Sequence, residues 1–548
     1  MITLKDVELR RSRKILLEGA ELIINKGEKV GLVGRNGVGK STLFSLLSGN
    51  THEEKGFIEL PKKCHITQVD QYIPETDEGA TDFVISGDHF LMDARVKLKK
   101  AIEDNDGIAM AQAYCDLADA GEHDAKSRAQ SLLIGLGFQP NEVNNPVNLF
   151  SGGWRMRLQL ARTLMCPSDL MLLDEPTNHL DLDAISWLES WLINDNRTII
   201  TISHDREFLD NVTSVTVHFE KNKLFRYNGN YSAFETLRSQ RIKAQENAYF
   251  KQKEKIAHIQ KYIDRFRFKA TKARQAQSKI KALERMERVS DFIADSDISL
   301  KFRKTKQIPS PMLTIRNAIF GYVNEGNNSQ ILTNINRTIL AGQRIGILGC
   351  NGQGKSTFVK TISEEIKPLF GSITQGKGLR VGYFAQQELD VIDINDTPLQ
   401  HMVRLSMMLE EKGHQDVREQ ELRSFLGTFN ISGDLITQKI GSLSGGEKAR
   451  LVLASIVWQK PNLLVLDEPT NHLDLPTREA LALALNDFEG TVILVSHDRA
   501  LLRAVCDEFW VIGYGQIQDF DGDLEDYKRY LLDESWRISF HGQKVNKN

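Results

Sequence analysis

The architecture of this chain follows from a glycine-rich stretch, Gly34-Arg35-Asn36-Gly37-Val38-Gly39-Lys40-Ser41, which recurs as Gly349-Cys350-Asn351-Gly352-Gln353-Gly354-Lys355-Ser356. Both copies have the pattern GxxxxGK[ST], in which consecutive backbone N–H groups and the start of a helix bind nucleotide phosphates. An apolar run typical of a buried strand precedes each copy, at 29–34 and 344–349. The sequence therefore predicts an α/β fold with two nucleotide-binding halves.

Further motifs repeat in the same order along the chain. They are Gln71 and Gln386, Ser151-Gly152-Gly153 and Ser444-Gly445-Gly446, Asp174-Glu175 and Asp467-Glu468, and His204 and His497. The offset between copies is 315 residues up to the glutamine and 293 residues after it. Such agreement is typical of duplication, and the difference predicts a 22-residue insertion in the first half.

Composition limits the class of protein. The 548 residues are 41% hydrophobic and 26% charged, with a net charge of −3, which is typical of an ordinary globular protein of more than one domain. The five cysteines form no CxxC pair, which favours a reducing compartment. No apolar run approaches a membrane span, and the charged N-terminus is unlike a signal peptide. We therefore predict a cytoplasmic protein without a membrane segment.

The chain divides into segments that differ in composition and charge. We predict a first nucleotide-binding domain over 1–230, a helical linker over 231–308, a second domain over 309–530 and a short tail over 531–548, with the insertion forming a helical arm within 80–137. The linker contains neither Gly nor Pro, which favours continuous helix, here a hairpin. Residues 238–288 contain 16 Lys or Arg and 5 Asp or Glu, so the basic charge is concentrated there.

The motif residues suggest individual roles. We expect Lys40 and Lys355 to neutralise the β- and γ-phosphates, and Ser41 and Ser356 to ligate Mg²⁺. The acidic pairs follow apolar strands, so Asp174 and Asp467 are candidates to hold Mg²⁺ and Glu175 and Glu468 to orient an attacking water. The expected γ-phosphate sensors are His204 and His497. Taken alone, an acidic pair is often a solvated strand end and a histidine is often structural, but the identical seven-residue runs at 175–181 and 468–474 favour the functional interpretation.

The complete set, in this order, resembles the ATP-binding cassette superfamily over nearly the whole chain. The resemblance implies two tandem ATP-binding cassette (P-loop NTPase) domains joined by a long basic helical linker. It also implies that Thr42, Thr357, Gln71 and Gln386 contribute to nucleotide binding, the two glutamines through Mg²⁺.

The resemblance further implies sites shared between the halves. The Ser-Gly-Gly motif of one half would complete the ATP site of the other, so that 34–41 faces 444–447 and 349–356 faces 151–154. Trp154, in the first of these Ser-Gly-Gly segments, is either a contact to the nucleotide or an ordinary packing residue. For stacking on adenine the second half offers Tyr322, whereas the first half offers Arg10 and Arg11, which are equally well plain surface arginines.

Twin cassettes with a basic helical linker resemble the ABC-F subfamily that acts on ribosomes, and within it the bacterial YheS-like branch. The stretch 262–278 is similar to the tRNA-interaction motif of that subfamily, and Tyr262, Phe266 and Phe268 interleave its basic residues. The implied function is a monomeric ATPase that hydrolyses ATP to ADP and phosphate, uses Mg²⁺, and binds rRNA and tRNA at the ribosomal exit site through 238–288.

Several alternatives remain open at this point. The alternative for the linker is a solvated spacer. The alternatives for the protein are an antibiotic ribosome-protection factor, a DNA-associated or repair ATPase, and the energising subunit of a transporter.

Overall fold

The computed structural model describes residues 1–11, 14–62, 64–69, 76–178, 180–244, 247, 300, 302, 308–324, 327–385, 392–410, 418–471 and 473–532. Both predicted glutamines, Gln71 and Gln386, lie outside the described residues, as do the linker residues 248–299 and with them the predicted tRNA-interaction motif at 262–278. The predicted tail beyond 532 is also outside this part of the chain.

The first half alternates strands and helices. Its strands are β1 (Ile2–Arg11), β2 (Lys14–Ile24), β3 (Lys29–Val33), β4 (Lys55–Glu59), β5 (Ile66–Gln68), β6 (Leu170–Asp174), β7 (Thr198–Ile202), β8 (Val215–Glu220) and β9 (Lys223–Asn228). Its helices are α1 (Lys40–Leu47), α2 (Ala80–Ile85), α3 (His89–Glu103), α4 (Gly107–Asp119), α5 (Glu122–Gly135), α6 (Gly152–Met165), α7 (Leu182–Asn194) and α8 (Arg206–Val212).

The second half repeats this order. Its strands are β10 (Leu313–Asn324), β11 (Asn327–Ile339), β12 (Arg344–Leu348), β13 (Phe370–Gln375), β14 (Val381–Phe384), β15 (Leu463–Asp467), β16 (Thr491–Val495), β17 (Glu508–Gly513) and β18 (Gln516–Phe520). Its helices are α9 (Lys355–Ile362), α10 (Pro398–Glu410), α11 (Glu419–Thr428), α12 (Gly445–Trp458), α13 (Leu475–Asp487), α14 (Arg499–Val505) and α15 (Leu524–Leu532).

Each half contains a three-stranded antiparallel sheet and a six-stranded sheet. The small sheets have the order β2-β1-β4 and β11-β10-β13, and the large ones β5-β6-β7-β3-β8-β9 and β14-β15-β16-β12-β17-β18. In the large sheet β6, β7 and β3 are parallel neighbours, as are β15, β16 and β12. The carboxyl ends of parallel strands meet at one sheet edge, so the phosphate loop, the acidic pair and the histidine motif converge in both halves. The predicted α/β fold is confirmed.

Two kinds of core support each half. One packs the small sheet and the helix after the phosphate loop against the large sheet, around Phe44 in the first half and Phe358 in the second. The other joins the helical segment to the opposite face of the large sheet. In the first half the helical segment includes α2 to α5, which occupy the range predicted for the arm.

The two halves pack directly on each other. Leu475 of the second half is buried in a cluster with Val33 and Leu209 of the first half and with Tyr231 and Phe234, which follow the first half in the chain. Ion pairs add to this contact between Arg206 and Glu479 at 3.4 Å, and from Arg499 to Glu189 and Glu207. Within the described ranges, the helices are all too short or too polar to cross a bilayer.

The core around Phe358 offers a test of packing in the second half. This side chain is fully buried, with its ring centroid 6.2 Å from that of Trp510. We expect Phe358→Ala to destabilise the second half by about 3 to 5 kcal/mol, because it removes a buried ring and leaves a cavity. The measurement is the thermal unfolding midpoint. The matched control is Phe370→Ala, a ring that is 67% exposed on β13 and should change stability by less than about 0.5 kcal/mol. Equal shifts for the two variants would contradict this account.

Candidate nucleotide sites between the two halves

The phosphate loops connect the central strands to α1 and α9. The N-caps of these helices are Gly39, with φ of 114°, and Gly354, with φ of 100°, and neither helix start is capped by a side chain. A Cβ at Gly349 would lie 2.4 Å from the carbonyl oxygen of Ile512. The chain therefore needs glycine there, and the helix start is suited to an anion.

A buried lysine points back into each loop. Lys40 Nζ donates to the carbonyl oxygen of Gly34 at 2.7 Å, and Lys355 Nζ donates to that of Gly349 at 2.5 Å. Burial lowers the pKa of both amines, although neighbouring carboxylates oppose the shift. A buried ammonium group is costly unless it is paired, so these lysines favour an anionic ligand.

The structure brings the described candidate metal ligands together. Ser41 is hydrogen-bonded to Asp174, and Ser356 to Asp467. Burial raises the pKa of both aspartates, and the serine contact opposes it. A hydroxyl and a carboxylate are oxygen ligands of the kind that Mg²⁺ uses beside substrate phosphates. In the part of the chain that the structure describes, no separate group of three or more His, Cys, Asp or Glu forms a metal site.

Both candidate catalytic glutamates have a left-handed backbone, with φ of 50° at Glu175 and 51° at Glu468. Their amides are held by the carbonyl oxygens of Ile202 and Val495, each at 2.8 Å. Such conformations cost energy in a non-glycine residue and are concentrated at functional sites. Because both halves keep the same strain, we infer that the position of this carboxylate matters in each.

The glutamate side chains are buried and only partly bonded. One carboxylate oxygen of Glu175 accepts from the amide of His204 at 3.2 Å, and one of Glu468 from that of His497 at 3.4 Å. The other oxygen, Oε1, has no hydrogen bond within the described residues in either case. Burial raises the pKa of Glu175 to about 7 and that of Glu468 to about 8. An unbonded buried carboxylate oxygen is suited to accept a proton from a ligand or water.

The histidine of the first half contacts three functional groups. His204 Nε2 lies 3.0 Å from Asn36 Oδ1, 3.4 Å from Lys40 Nζ and 3.4 Å from Glu175 Oε1. Burial, together with the charges of Lys40 and Arg478, holds the pKa of this imidazole well below its usual range. Both effects favour the neutral form of the ring.

Both halves line the first site. A cavity of about 570 Å³ contains the lysine of the first half together with the Ser-Gly-Gly motif of the second. Its walls include Arg11, Asn36, Lys40, Ser41, Thr42, Asp174, Glu175, His204, Ser444, Gly445, Gly446 and Arg478. This volume is within the range of small-molecule sites in proteins. The predicted residues thus meet across a junction between distant parts of the chain.

An aspartate from the opposite half reaches each phosphate loop. The backbone N–H of Asn36 donates to Asp474 Oδ2 at 3.5 Å, and the backbone N–H of Asn351 donates to Asp181 Oδ2 at 3.3 Å. Asp181 is also 3.4 Å from Arg157, which lowers its pKa although burial opposes this. Cys350 Sγ of the second loop also donates to Asp183 Oδ2 of the first half at 3.5 Å. The meeting of 151–154 with 349–356 stays a prediction.

The two Ser-Gly-Gly segments differ in local structure. Ser444 and Glu447 form a reciprocal capping box at the start of α12, whereas Ser151 makes no side-chain cap on α6. Trp154 packs edge-on against Phe138 at 4.8 Å between ring centroids, and the guanidinium of Arg157 lies 4.5 Å from its ring centroid. The structure therefore gives Trp154 a packing role.

The candidate adenine contacts lie near the loops. The hydroxyl of Tyr322 is 3.4 Å from Thr357 Oγ1, and its side chain is 37% exposed. In the first half Arg11 lines the cavity, whereas Arg10 is held by ion pairs with Glu8 and Glu54. Of the two arginines, Arg11 is therefore the better candidate.

Sequence reasoning assigned no role to three residues at these sites. Asp181 and Asp474 end the identical seven-residue runs, and that repetition was a usable signal. Arg478 has isoleucine as its counterpart at the 293-residue offset, so the repeat contained no signal for it.

This chain is similar to known proteins in sequence and in fold. A family model described as "ABC transporter" matches residues 17–178 and 332–471, and an extension model with the same description matches 217–302. "Probable ATP-binding protein YheS" of Haemophilus influenzae is 47% identical and covers 98% of this chain and 83% of its own length.

More distant relatives also cover most of the chain. "ABC transporter F family member 3" of Arabidopsis thaliana is 37% identical, covering 95% of this chain and 73% of its own length. "Protein GCN20" of Saccharomyces cerevisiae is 34% identical, with 94% and 70% covered. Among solved structures, the archaeal ribosome recycling factor aABCE1 in complex with ribosomal stalk protein aP1 has a TM-score of 0.60 at 18% identity, covering 96% of this chain and 92% of that one. At this identity the likeness concerns the fold alone.

The shared cavity predicts that nucleotide binding brings the halves together. We expect Arg206→Cys with Glu479→Cys to react with a short bismaleimide in the presence of ATP and much less without it, because these side chains meet across the halves at 3.4 Å. The exposed Cys115 is replaced by serine in every variant. Mass spectrometry of the linked peptides measures the yield.

The matched control places both cysteines on the side of the junction that contains the first half, at Arg206 and at Glu235, which lies just after that half. Arg206 also pairs with Glu235, so Arg206→Cys with Glu235→Cys should link equally with and without ATP. An equal yield of the cross-half crosslink with and without ATP would contradict nucleotide-dependent closure.

Proposed function

Because this chain belongs to the ABC-F subfamily of ATP-binding cassette proteins, we propose that it is an ATPase that closes on two Mg-ATP molecules and binds the ribosome in that closed form. One observation carries the ATPase part of this proposal. Lys40 of the first half and 444–446 of the second half line a single cavity that also contains Glu175 and His204.

The residues present fit ATP and Mg²⁺. The loops 34–41 and 349–356, with Thr42 and Thr357, would hold the phosphates, and Lys40 and Lys355 would offset their charge. When bound, Mg²⁺ supplies further positive charge at the phosphate oxygens. Its ligands would be Ser41 and Ser356, the glutamines Gln71 and Gln386, and the aspartates Asp174 and Asp467.

The glutamates and histidines would act on the attacking water. Glu175 and Glu468 each offer an unbonded carboxylate oxygen, which would orient the water and accept its proton. His204 and His497 would contact the terminal phosphate, and each backbone amide fixes the neighbouring glutamate. The net reaction is ATP and water to ADP and phosphate.

Closure would make ATP a timer for binding to a target. A ligand shifts a conformational equilibrium only by its differential affinity for the two states. Because 444–446 faces the first cavity only when the halves meet, ATP would favour the closed state, and its hydrolysis would favour release.

The proposed target is the ribosome, through the basic linker 238–288. The segment has 16 Lys or Arg and 5 Asp or Glu, and aromatic residues alternate with them at 262–268, a combination that suits RNA. Its resemblance to the tRNA-interaction motif points to tRNA beside the exit site. A DNA-associated ATPase would use the same charge, and an antibiotic-protection factor would share the ribosome. A transporter subunit leaves the linker unexplained.

The glutamates provide the test of the ATPase. Glu175→Gln with Glu468→Gln should bind ATP but turn it over about 10² to 10⁴ times more slowly, because the amide does not accept the proton. We expect the variant to accumulate on ribosomes in ATP and to slow translation in an extract. Phosphate release and ribosome co-sedimentation are the measurements. Turnover at near the normal rate would remove these residues from the proposed mechanism.

The linker charges test the choice of target. We expect neutral substitution of its basic cluster to weaken ribosome binding and to flatten its salt dependence by about 0.7 to 0.9 log–log unit for each lost phosphate contact. The cluster is Arg265, Arg267, Lys269, Lys272 and Arg274. The matched control exchanges Arg for Lys and Lys for Arg at the same positions, which preserves the charge. An unchanged slope would make the linker a spacer, and retention on DNA instead of ribosomes would favour the DNA-associated alternative.

A further inference from the structure

One cation of the first nucleotide site, Arg478, has no counterpart at the equivalent position of the second site. Arg478 lies on α13 of the second half and lines the cavity of the first site. At the 293-residue offset its counterpart in the first half is Ile185, which is 1% exposed in the helical core of that half. The second site therefore has no arginine at the equivalent position.

The guanidinium of Arg478 is held in a fixed orientation. Its Nε donates to the carbonyl oxygen of Leu473 at 3.1 Å, and its Nη1 donates to Asp498 at 3.1 Å. The side chain is 12% exposed. Two of its three nitrogens are thus fixed by the second half, while the group borders the cavity of the first. Such preorganisation reduces the entropy lost when a ligand binds.

The charge of Arg478 reaches the reacting end of the first site. It acts on Glu175 and on the imidazole of His204, and both residues border the same cavity. Other charged groups around this cavity include Lys40, Arg11 and Asp174, and Asp474 acts on Lys40. A nucleotide held by the loop at Lys40 would therefore extend its terminal phosphate towards a second cation, supplied by the other half.

We propose that Arg478 binds the terminal phosphate of ATP in the first site, which makes this site the tighter one and couples closure of the halves to the presence of that phosphate. The inference rests on the proposed ATPase function and adds an inequality between its two sites. Arginine suits the role because its planar fork matches phosphate oxygens and its charge persists at any physiological pH. ADP lacks the terminal phosphate, so the arginine would favour ATP over ADP.

The test isolates the first site. In a protein with Glu175→Gln and Lys355→Ala, the first site alone retains its lysine and its hydrolysis is slowed about 10² to 10⁴ times. Isothermal titration with Mg-ATP and with Mg-ADP gives the two dissociation constants. Adding Arg478→Ala should weaken ATP binding roughly tenfold to a hundredfold, the loss expected for a hydrogen bond to a charged group, and ADP binding by less than about threefold. Arg478→Lys retains the charge without the fork, so it should weaken ATP binding by only about threefold and leave ADP binding unchanged.

The control removes another arginine from the junction. Arg206 pairs with Glu479 across the halves and is not among the residues that line the cavity. Arg206→Ala should leave the preference for ATP over ADP unchanged. Equal weakening of ATP and ADP by Arg478→Ala, or a loss no larger than that of Arg206→Ala, would overturn the proposal and reduce Arg478 to an interface residue. If Arg478→Ala lowers the nucleotide-free unfolding midpoint too far for titration, Arg478→Lys decides: unchanged ATP binding would overturn the proposal.

A second variant, in which the second site alone retains its lysine, allows the ATP affinities of the two sites to be compared. With Lys40→Ala and Glu468→Gln, the second site alone retains its lysine, and we expect it to bind ATP roughly tenfold more weakly than the first. Equal affinities at the two sites would overturn the inference while leaving the proposed ATPase intact. Failure of either parent protein to bind ATP would instead count against the proposed function.

Discussion

The structure depends on charged groups that are buried where the two halves meet. Lys40 and Lys355 are each 8% exposed, and the carboxylates of Glu175 and Glu468 lie beside them. Taking such ions out of water costs several kcal/mol each unless they are paired. The loop carbonyls compensate the lysines in part, and the raised pKa of each glutamate shows that burial outweighs its pairing. A ligand that carries both phosphates and a metal ion would complete the compensation.

This constraint links the sites to the contact between the halves. Asp474, which faces the first phosphate loop, caps α13, and the next residue, Leu475, packs into the apolar cluster of the first half. Asp181 caps α7 and faces the second loop in the same way. A shift of either helix would therefore change a nucleotide site and the interface together. Such short connections allow small changes at a ligand to become movements of whole halves.

The duplicated halves share their strand order and their motif residues, and they differ at a few other side chains near the candidate sites. Strand order is identical, and the left-handed glutamate occurs in both. The differences are local. Ser444 forms a capping box with Glu447 at the start of its helix, whereas Ser151 makes no side-chain cap. The counterpart of Arg478 is Ile185. Sheet topology tolerates little change because the core is packed densely. A single residue at a cavity wall can change without disturbing this packing, as the pair Arg478 and Ile185 illustrates.

The sequence by itself determined the α/β class, the duplication and the motif residues of both sites, because glycine loops and strand-end acidic residues have local signals that spacing makes specific. The family resemblance also implied that the Ser-Gly-Gly motif of one half faces the phosphate loop of the other, and the tertiary structure added further residues to the wall of the first cavity. It placed Asp474 and Arg478 beside a loop more than 400 residues earlier in the chain, put Arg11 at the cavity wall, and packed Trp154 against Phe138. These outcomes follow from how two folded surfaces meet, and contacts between residues so far apart leave no periodic pattern in one sequence.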